Sequence, residues 1–317
     1  MIRRPPRSTQ SRSSAASDVY KRQAQKLLKI LPIFVVNLML RKRVIALILL
    51  KGDLVIQAIG FKRYLPIGKL SIVLEYLELW DVDEVIILDI DASKNGKTIN
   101  FGLIGEASKK IFVPLTVGGG LSSVQEIEKA IHNGADKVSI NSAFFGNKMF
   151  IDEAIQNFGS QCIVLAADVK LRQDDYYVYL NNRQYENLKV SEWLKAAINI
   201  GAGEVFINSM DNDGKKNGYD LDLMKMIDNY STVPVVAAGG VGCPKHVEQL
   251  FNQVDSAAAI GNILYHKEHS TSLIKAYLKA SNQNVRASLF LNYENSEFNV
   301  DGALKPIEHS SIFLKDN

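Results

Sequence analysis

From residue 43 onward the chain alternates short, β-branched apolar runs with segments of helical periodicity. The apolar runs are "RVIALILL", "EVIILDID", "IFVPLTV", "DKVSIN", "CIVLAAD", "EVFINS", "VPVVAAG" and "SAAAIG". Between most of them apolar residues recur at three- and four-residue spacing, as in "VQEIEKAIHNG" and "VSEWLKAAINIG". Eight strands alternating with helices within about 245 residues predict a (β/α)8 TIM barrel rather than an open doubly wound sheet. Between the first two strands, "GFKRYLPIGK" predicts a long loop.

The barrel pattern also repeats internally. "VPLTVGGG" at 113–120 recurs as "VPVVAAGG" at 233–240, and "DIDASKNGK" at 89–97 has a partner in "SMDNDGKKNG" at 209–218. The second pairing aligns Asp91 with Asp211, again at an offset of 120 residues. The repeat predicts two similar half-barrels, so each functional position in one half should have a mate in the other.

Composition divides the chain into three parts. Residues 1–38 carry eight Lys/Arg and one Asp, so this Arg/Ser-rich segment is expected to be a disordered or non-native leader, with the true start near Met39. Residues 39–286 are expected to form the barrel, and residues 287–317 a C-terminal tail without clear periodicity.

Charge and cysteine usage limit the possible partners. The total net charge is +3, of which the leader holds +7, so the remainder is mildly acidic at −4. This balance argues against nucleic-acid binding and favours a small molecule or a protein as partner. The apolar segment "LLKILPIFVVNLML" is too short to span a bilayer comfortably, and two cysteines without metal spacing favour a reducing compartment. We therefore expect a cytoplasmic protein without membrane contact, metal or cofactor.

Glycines end two of the predicted strands. The two glycine runs contain Gly119 and Gly120 after the third strand, and Gly239 and Gly240 after the seventh. Glycine at a strand end lets the backbone approach a phosphate, and a following helix N-terminus supplies oriented N–H groups. Each run alone could equally be a tight turn. The duplication favours two phosphate cradles on opposite sides of one barrel mouth, with polar or small neighbours at Asn141, Ser142, Asp213, Gly214, Gly261 and Asn262.

With these residues in place, the chain from about Met39 to Arg286 closely resembles the cyclase subunit of imidazole glycerol phosphate synthase. The resemblance is carried by "TVGGG", "GADKVSINSA", "FGSQ", "GAGEVFINSMDNDGKKNGYD" and "AAGG". It implies a (β/α)8 barrel of the ribulose-phosphate-binding type that pairs with a class I glutaminase subunit in a heterodimer. It also implies that ammonia from the glutaminase is used to cleave and cyclise a bis-phosphorylated ribulosyl substrate.

The resemblance also assigns roles to residues. It places phosphate contacts at Gly120, Asn141 and Ser142 on one side and at Asp213, Gly214, Gly240, Gly261 and Asn262 on the other. Asn262 stands where serine is commoner, and it still offers a donor. A charged ring at the barrel floor, used by the family as an ammonia gate, maps to Arg43, Glu84, Lys137 and Glu204. Without the resemblance, ion pairs that simply plug the floor are the better interpretation of these four charges.

One half of the expected catalytic pair is missing. Ammonia-driven cyclisation needs proton transfer at two groups, and the family uses carboxylates from strands 1 and 5. Asp168 is present on strand 5, whereas the 119-residue offset that aligns Lys170 with Lys51 puts its mate at Leu49. Gln57 stands at the position of the family's loop lysine. Asp53 could replace the lost acid only if the loop folded back, because it lies about 13 Å further along an extended chain.

The changes at Leu49 and Gln57 resemble a paralogous branch associated with acetamidino-sugar formation on bacterial surface polysaccharides. Members of that branch are cyclase-like partners of a glutaminase and a separate amidotransferase. On this hypothesis the barrel helps deliver ammonia to a phosphorylated or nucleotide-linked acceptor. Three alternatives remain: an authentic histidine-pathway cyclase that works with Asp168 alone, a non-catalytic scaffold for glutaminase and amidotransferase, and an error or decay in the sequence.

Overall fold

The computed structural model describes residues 41–180, 183–289, 291, 293 and 296–305. Contacts divide the chain into two units, residues 1–41 and 42–317, and the description below concerns the second. The expected leader, residues 1–38, lies outside the described residues. No helix in the described ranges is long and apolar enough to cross a membrane.

Twelve strands are described. They are β1 Val44–Lys51, β2 Leu54–Ile59, β3 Arg63–Lys69, β4 Glu84–Asp89, β5 Leu115–Gly118, β6 Lys137–Ile140, β7 Ile163–Arg172, β8 Asp175–Leu180, β9 Arg183–Lys189, β10 Glu204–Ser209, β11 Val235–Ala238 and β12 Ala257–Ile260.

The described ranges contain nine α-helices. They are α1 Leu70–Leu79, α2 Phe101–Ser108, α3 Val124–His132, α4 Ser142–Gly146, α5 Lys148–Phe158, α6 Val190–Asn199, α7 Leu221–Tyr230, α8 Pro244–Gln253 and α9 Ser270–Ala280. Short polar side chains set where several of them begin: Asn100, Ser123 and Asp220 each accept a hydrogen bond from a backbone N–H of the first turn.

Eight of the strands close into a parallel barrel. Their order is β10-β11-β12-β1-β4-β5-β6-β7, and pairing of β7 with β10 closes the ring. Every strand predicted from the apolar runs is present, which confirms the (β/α)8 barrel. The carboxyl ends of all eight strands meet at one face, here called the mouth, and the amino ends form the floor.

The remaining four strands form two antiparallel hairpins above the mouth, and one of them corrects the sequence interpretation. "GFKRYLPIGK" is not a long loop, because β2 pairs with both β1 and β3. Its strand character was hidden because β3 is an edge strand with mostly exposed residues, a place where Pro66 is tolerated. The second half repeats the arrangement with β8 and β9 after β7.

Equivalent lysines each contact a tyrosine of the neighbouring hairpin, although the two tyrosines are not two-fold mates. Lys51 at the end of β1 lies over the ring of Tyr64 at 4.6 Å, and Lys170 on β7 lies over Tyr179 at 5.7 Å. Tyr64 lies on β3, the second strand of its hairpin, whereas Tyr179 lies on β8, the first strand of the other.

Apolar side chains separate into a layer outside the barrel and a smaller set inside it. The inner set comprises Ile45, Leu47, Ile86, Val164, Ala166, Phe206, Val236, Ala238, Ala257 and Ala259, with Leu49 and Leu88 packed against it. Alternation along each strand produces the separation, since successive side chains point to opposite faces. Residues of the inner set lead from the floor toward the mouth.

The two ends of the barrel sequence meet at the floor. Lys42 forms a parallel bridge with Val285, and β1 pairs with β12. Asp83 joins both ends: one carboxylate oxygen accepts from the Val44 N–H at 2.8 Å, and the other accepts from Arg286 Nε at 2.9 Å and from the fully buried Lys275. The described part of the tail begins by contacting the same turn, because Ser288 and the Leu289 N–H both donate to Asp81.

Candidate functional site

A cavity of about 470 Å³ opens at the mouth of the barrel. All eleven residues that the sequence indicated for catalysis or phosphate binding line it: Gly119, Gly120, Asn141, Ser142, Asp168, Asp213, Gly214, Gly239, Gly240, Gly261 and Asn262. Parallel strands bring them together, since each residue lies at or just beyond the carboxyl end of a barrel strand. The cavity therefore has the position expected of a ligand site in this fold.

Asp168 lies within β7, where the strand reaches the mouth, and is one of four carboxylates that line the cavity, with Asp89, Glu126 and Asp213. Its two oxygens accept hydrogen bonds from two side-chain amides, Asn141 Nδ2 at 3.1 Å and Asn208 Nδ2 at 3.0 Å. Desolvation by burial raises the pKa of Asp168 from 3.8 to about 6, although both amides and the charge of Lys94 oppose the rise. A carboxyl group with this pKa can take up and release a proton near neutral pH.

The equivalent place in the first half contains no polar side chain. Leu49 on β1 pairs with Leu88 on β4, whereas Asp168 pairs with Asn208. Leu88 and Asn208 are themselves mates at an offset of 120 residues. The first half thus has apolar side chains where the second has both the acid and one of its donors.

The third member of the polar group is also missing beside β1, because its counterpart there is a glycine. Asn141 follows β6 with φ −112° and ψ −80°, and its mate Gly261 follows β12 with φ −114° and ψ −93°. The backbones match, so the two positions are structurally equivalent. Around β1, the positions that correspond to the acid and to both of its amide donors therefore hold Leu49, Leu88 and Gly261 instead.

Asp53, the residue considered as a replacement for the acid at Leu49, does not line the cavity, and neither does Gln57. Asp53 lies in the tight turn between β1 and β2, where it accepts from Asn100 Nδ2 at 3.3 Å. The buried Gln57 places its Nε2 3.0 Å from His266 Nε2. Neither brings a functional group to Leu49, and the carboxylates that line the cavity besides Asp168 are Asp89, Glu126 and Asp213.

The first cradle, formed by Gly119, Gly120, Asn141 and Ser142, is closely packed against the loop after β4. A Cβ at Gly120 would lie 2.0 Å from the Lys97 carbonyl oxygen, and its φ of +69° also favours glycine. Ser93 Oγ lies 3.3 Å from Ser142 Oγ in the same loop contact. Glycine is required here by close backbone approach.

The second cradle, formed by Asp213, Gly214, Gly239, Gly240, Gly261 and Asn262, has the same packing at Gly240. A Cβ there would lie 2.0 Å from the Gly218 carbonyl oxygen. The β2–β3 hairpin also contacts this cradle: Asn262 Nδ2 donates to the Ala58 carbonyl at 2.7 Å, and the Phe61 N–H donates to Asp213 at 3.3 Å. Burial raises the pKa of Asp213 to about 6, with a further contribution from the charge of Asp168.

The four charges indicated for the floor form a closed ring. Arg43 contacts Glu84 at 2.5 Å and Glu204 at 2.6 Å, while Lys137 contacts the same two carboxylates at 3.2 and 2.9 Å. Both glutamates are only 6% exposed. Burial alone would lower the pKa of Arg43, but the charges of Glu204 and Glu84 raise it. Charges of alternating sign thus neutralise one another across the floor.

The sequence interpretation missed Asn208 and Lys94. Asn208 lies two residues beyond the inward-facing Phe206, so strand alternation already placed it inside the barrel mouth. Lys94 lies in a 3₁₀ turn after β4 and lines the cavity through a loop conformation that no periodicity indicates. Within the described residues, no cluster of three His, Cys, Asp or Glu side chains could hold a metal ion.

Comparisons with known proteins identify the family. A family model described as "Histidine biosynthesis protein" matches residues 43–270. The chain is 39% identical over 267 residues to the putative imidazole glycerol phosphate synthase subunit hisF2 of Vibrio vulnificus, covering 83% of this chain and 98% of the relative. It is 36% identical over 252 residues to the imidazole glycerol phosphate synthase subunit HisF of Staphylococcus carnosus (78% and 99% covered), and 38% identical over 249 residues to that of Clostridium beijerinckii (77% and 98%). With a closed barrel, a cavity at its mouth and relatives matched over nearly their whole length, the chain belongs to the histidine biosynthesis protein family.

Proposed function

We propose that the barrel is a cyclase-like enzyme subunit that receives ammonia from a class I glutaminase at its floor and supplies it to a phosphorylated acceptor at its mouth. The acceptor belongs to acetamidino-sugar formation on surface polysaccharides, where a separate amidotransferase completes the reaction. One observation carries the proposal: Leu49 occupies the place of the second carboxylate, while Asp168, the cradles and the floor charges are kept.

The floor supports entry of ammonia. Each cation of the ring contacts both glutamates, so one ion pair can open while the other remains. Arg43 and Lys137 keep 29% and 20% of their side chains exposed, which leaves them room to move. The barrel interior above the ring is apolar. Such a path admits neutral ammonia far better than ammonium, because an unpaired charge in apolar surroundings is strongly disfavoured.

Of the two positions to which the resemblance assigns proton transfer, one holds an acid and the other a leucine. Asp168 has a pKa of about 6 and can exchange one proton near neutral pH. Leu49 and Leu88 can exchange none. Cyclisation needs proton transfer at both the attacking and the leaving group, whereas passing ammonia to another enzyme needs fewer proton transfers. The first half has therefore lost a function that ammonia delivery does not require.

Turnover of the histidine-pathway substrate tests the proposal. Given ammonium and the bis-phosphorylated ribulosyl intermediate, the purified protein should react at least about a hundredfold more slowly than a two-carboxylate cyclase of the family, the usual worth of one general acid or base. A relative that carries an aspartate at the position of Leu49 is the matched reference. A rate equal to that of the reference would overturn the proposal.

A second candidate is an authentic cyclase of histidine biosynthesis. It is favoured by the two cradles on opposite sides of one cavity, which suit a ligand with a phosphate at each end. A third, a pure scaffold, is disfavoured because a scaffold has no need of Gly120 and Gly240 together with Asn141 in one mouth cavity. Sequencing the neighbouring genes separates the first two: sugar-nucleotide enzymes beside a glutaminase support acetamidino-sugar formation, and a histidine operon supports the cyclase.

A further inference from the structure

The mouth cavity has an aliphatic wall on the side of β1. Leu49 on β1 pairs with Ile56 on β2 and, across its other edge, with Leu88 on β4. The three residues therefore lie side by side on neighbouring strands, and all three line the cavity. They are here called the β1 platform.

The leucines of the β1 platform face the cavity rather than the outer layer of helices. Strand alternation points Ile45, Leu47 and Leu49 into the barrel, and Leu49 and Leu88 are only partly buried against the inner set. A Cβ at Gly118 would lie 2.8 Å from Leu88 Cδ2, so the Leu88 side chain covers the backbone of β5. The platform therefore presents branched aliphatic side chains to the space in the mouth.

The hairpin after β1 extends this wall, and the hairpin after β7 does not match it. Ala58, Phe61 and Tyr64 of the first hairpin line the cavity. None of the described residues of β8 and β9 does. The aliphatic wall and the hairpin that borders it thus belong to the first half-barrel alone.

The opposite wall is polar. In the ring of eight strands β7 lies four strands from β1, directly across the barrel, and there Asp168 accepts hydrogen bonds from Asn141 and Asn208. Asp89 and Glu126 accept from backbone N–H groups of their own loops, and the carboxylate of the second cradle accepts from the hairpin backbone. The mouth is therefore amphipathic, with an acid and amides facing an aliphatic platform.

We infer that the β1 platform binds a short aliphatic group of the acceptor, the size of a small acyl chain, while a polar group of the same molecule faces Asp168. The inference rests on the proposed function, since it takes the mouth to be the acceptor site. Leucine and isoleucine side chains that face water are stabilised when an apolar group covers them. Leu49 thus contributes a binding contact at the place where the family uses an acid.

Two neutral amides of equal size test the platform. Isobutyramide and lactamide have the same number of non-hydrogen atoms and differ only in a methyl group that replaces a hydroxyl. In protein labelled at leucine and isoleucine methyl groups, NMR signals of Leu49, Leu88 and Ile56 should respond to isobutyramide at about tenfold lower concentration than to lactamide. The reason is that a hydroxyl against the platform loses its hydrogen bonds to water.

Substitutions locate the preference. Leu49→Asn puts a polar group at the centre of the platform and should remove the preference for isobutyramide, whereas Leu49→Met keeps an aliphatic side chain and should retain it. Leu171→Asn is the matched control, because Leu171 lies three residues beyond Asp168 on β7, is 47% exposed and does not line the cavity. It should leave the preference unchanged.

The outcomes separate this inference from the proposal beneath it. Equal affinity for the two amides in the unmodified protein would overturn the inference and leave the platform as a lining of the ammonia path. Responses confined to methyl groups outside the mouth would overturn it as well. Neither amide carries a phosphate, so turnover of the ribulosyl intermediate still tests the proposed function separately. If Leu49→Asn does not fold, the comparison of the two amides in the unmodified protein decides.

Discussion

The ends of β1 and β7 occupy equivalent places in the two half-barrels and have opposite character. At β7, Asp168 is held by Asn141 and Asn208; at β1 the corresponding side chains are Leu49, Gly261 and Leu88. Each place is followed by an antiparallel hairpin, and the lysine two residues after it contacts a tyrosine ring. A buried carboxyl group depends on its hydrogen-bond donors, and around β1 the acid and both donors are absent together.

Substitution of Gly120 or Gly240 should have the largest effect on stability, and the effect should be equal in the two half-barrels. Gly120→Ala and Gly240→Ala each place a Cβ 2.0 Å from a carbonyl oxygen at positive φ, so each should lower the free energy of unfolding by about 3 kcal/mol or more. Gly261→Ala is the matched control, because its Cβ would meet nothing closer than 3.7 Å. Urea denaturation measures all three. A loss of stability in only one of the Gly120 and Gly240 variants would contradict the two-fold comparison.

Substitution of the two floor glutamates should have the second largest effect on stability, and the two effects should again be equal. Glu84 and Glu204 are mates at an offset of 120 residues, and each contacts both Arg43 and Lys137. Glu84→Gln and Glu204→Gln should each reduce stability by about 2 kcal/mol, less than a fully buried pair because the cations are partly exposed.

The floor variants also test the gate. If the ring controls ammonia entry, Glu204→Gln and Lys137→Ala should uncouple glutamine hydrolysis in the partner from product formation while the barrel stays folded. Thermal melts run beside the coupled assay distinguish the two roles. Reduced stability with unchanged coupling of glutamine hydrolysis to product formation would show that the ring only plugs the barrel floor.

Asp168→Asn should stabilise the protein at alkaline pH. The pKa of Asp168 rises from 3.8 to about 6 on folding, so between those values the folded state binds a proton that the unfolded state has released. Stability therefore falls as the pH rises through that window, and the full destabilisation is present above it. Replacing the acid should gain about 1 kcal/mol at pH 8, since part of the roughly 2.7 kcal/mol implied by two pKa units is offset by altered hydrogen bonds.

The neighbouring amide explains why this replacement can fit. Asn141 Oδ1 is buried without a partner among the described residues, so a turned Asn141 could accept from the new amide. Denaturation at pH 8 and pH 4 measures the gain, which should vanish at the lower pH. A loss of stability at pH 8 would contradict the burial effect assigned to Asp168.

Placing a carboxyl group at residue 49 should give the smallest effect. Leu49→Asp introduces a carboxyl without the amides that serve Asp168, so its pKa should lie above that of Asp168, by about one unit. Adding Leu88→Asn should bring the two values together. Carboxyl carbon NMR titration follows both groups in one sample. Equal values in the single variant would show that the donors do not set the difference.

The sequence predicted the barrel well because its eight strands are buried. A run such as "CIVLAAD" contacts the core on both faces and so carries a strong apolar signal. The hairpins escaped prediction because β3 is exposed and contains Pro66, and their stability comes from pairing with β2. Leu49 was recognised through the internal repeat. Lys94 was not, because only the folded loop shows that it reaches the mouth.

The junction at Asp83 has a consequence for how the chain is made. Asp83 bonds to the N–H of Val44, at the start of the barrel sequence, and to Lys275 and Arg286, near its end. On the ribosome, β1 emerges more than two hundred residues before β12, its final neighbour. At about 5–20 residues per second, one edge of β1 waits roughly ten to forty seconds for its partner. Until β12 emerges, the nascent barrel is an open sheet whose unpaired β1 edge is a template for pairing with other chains.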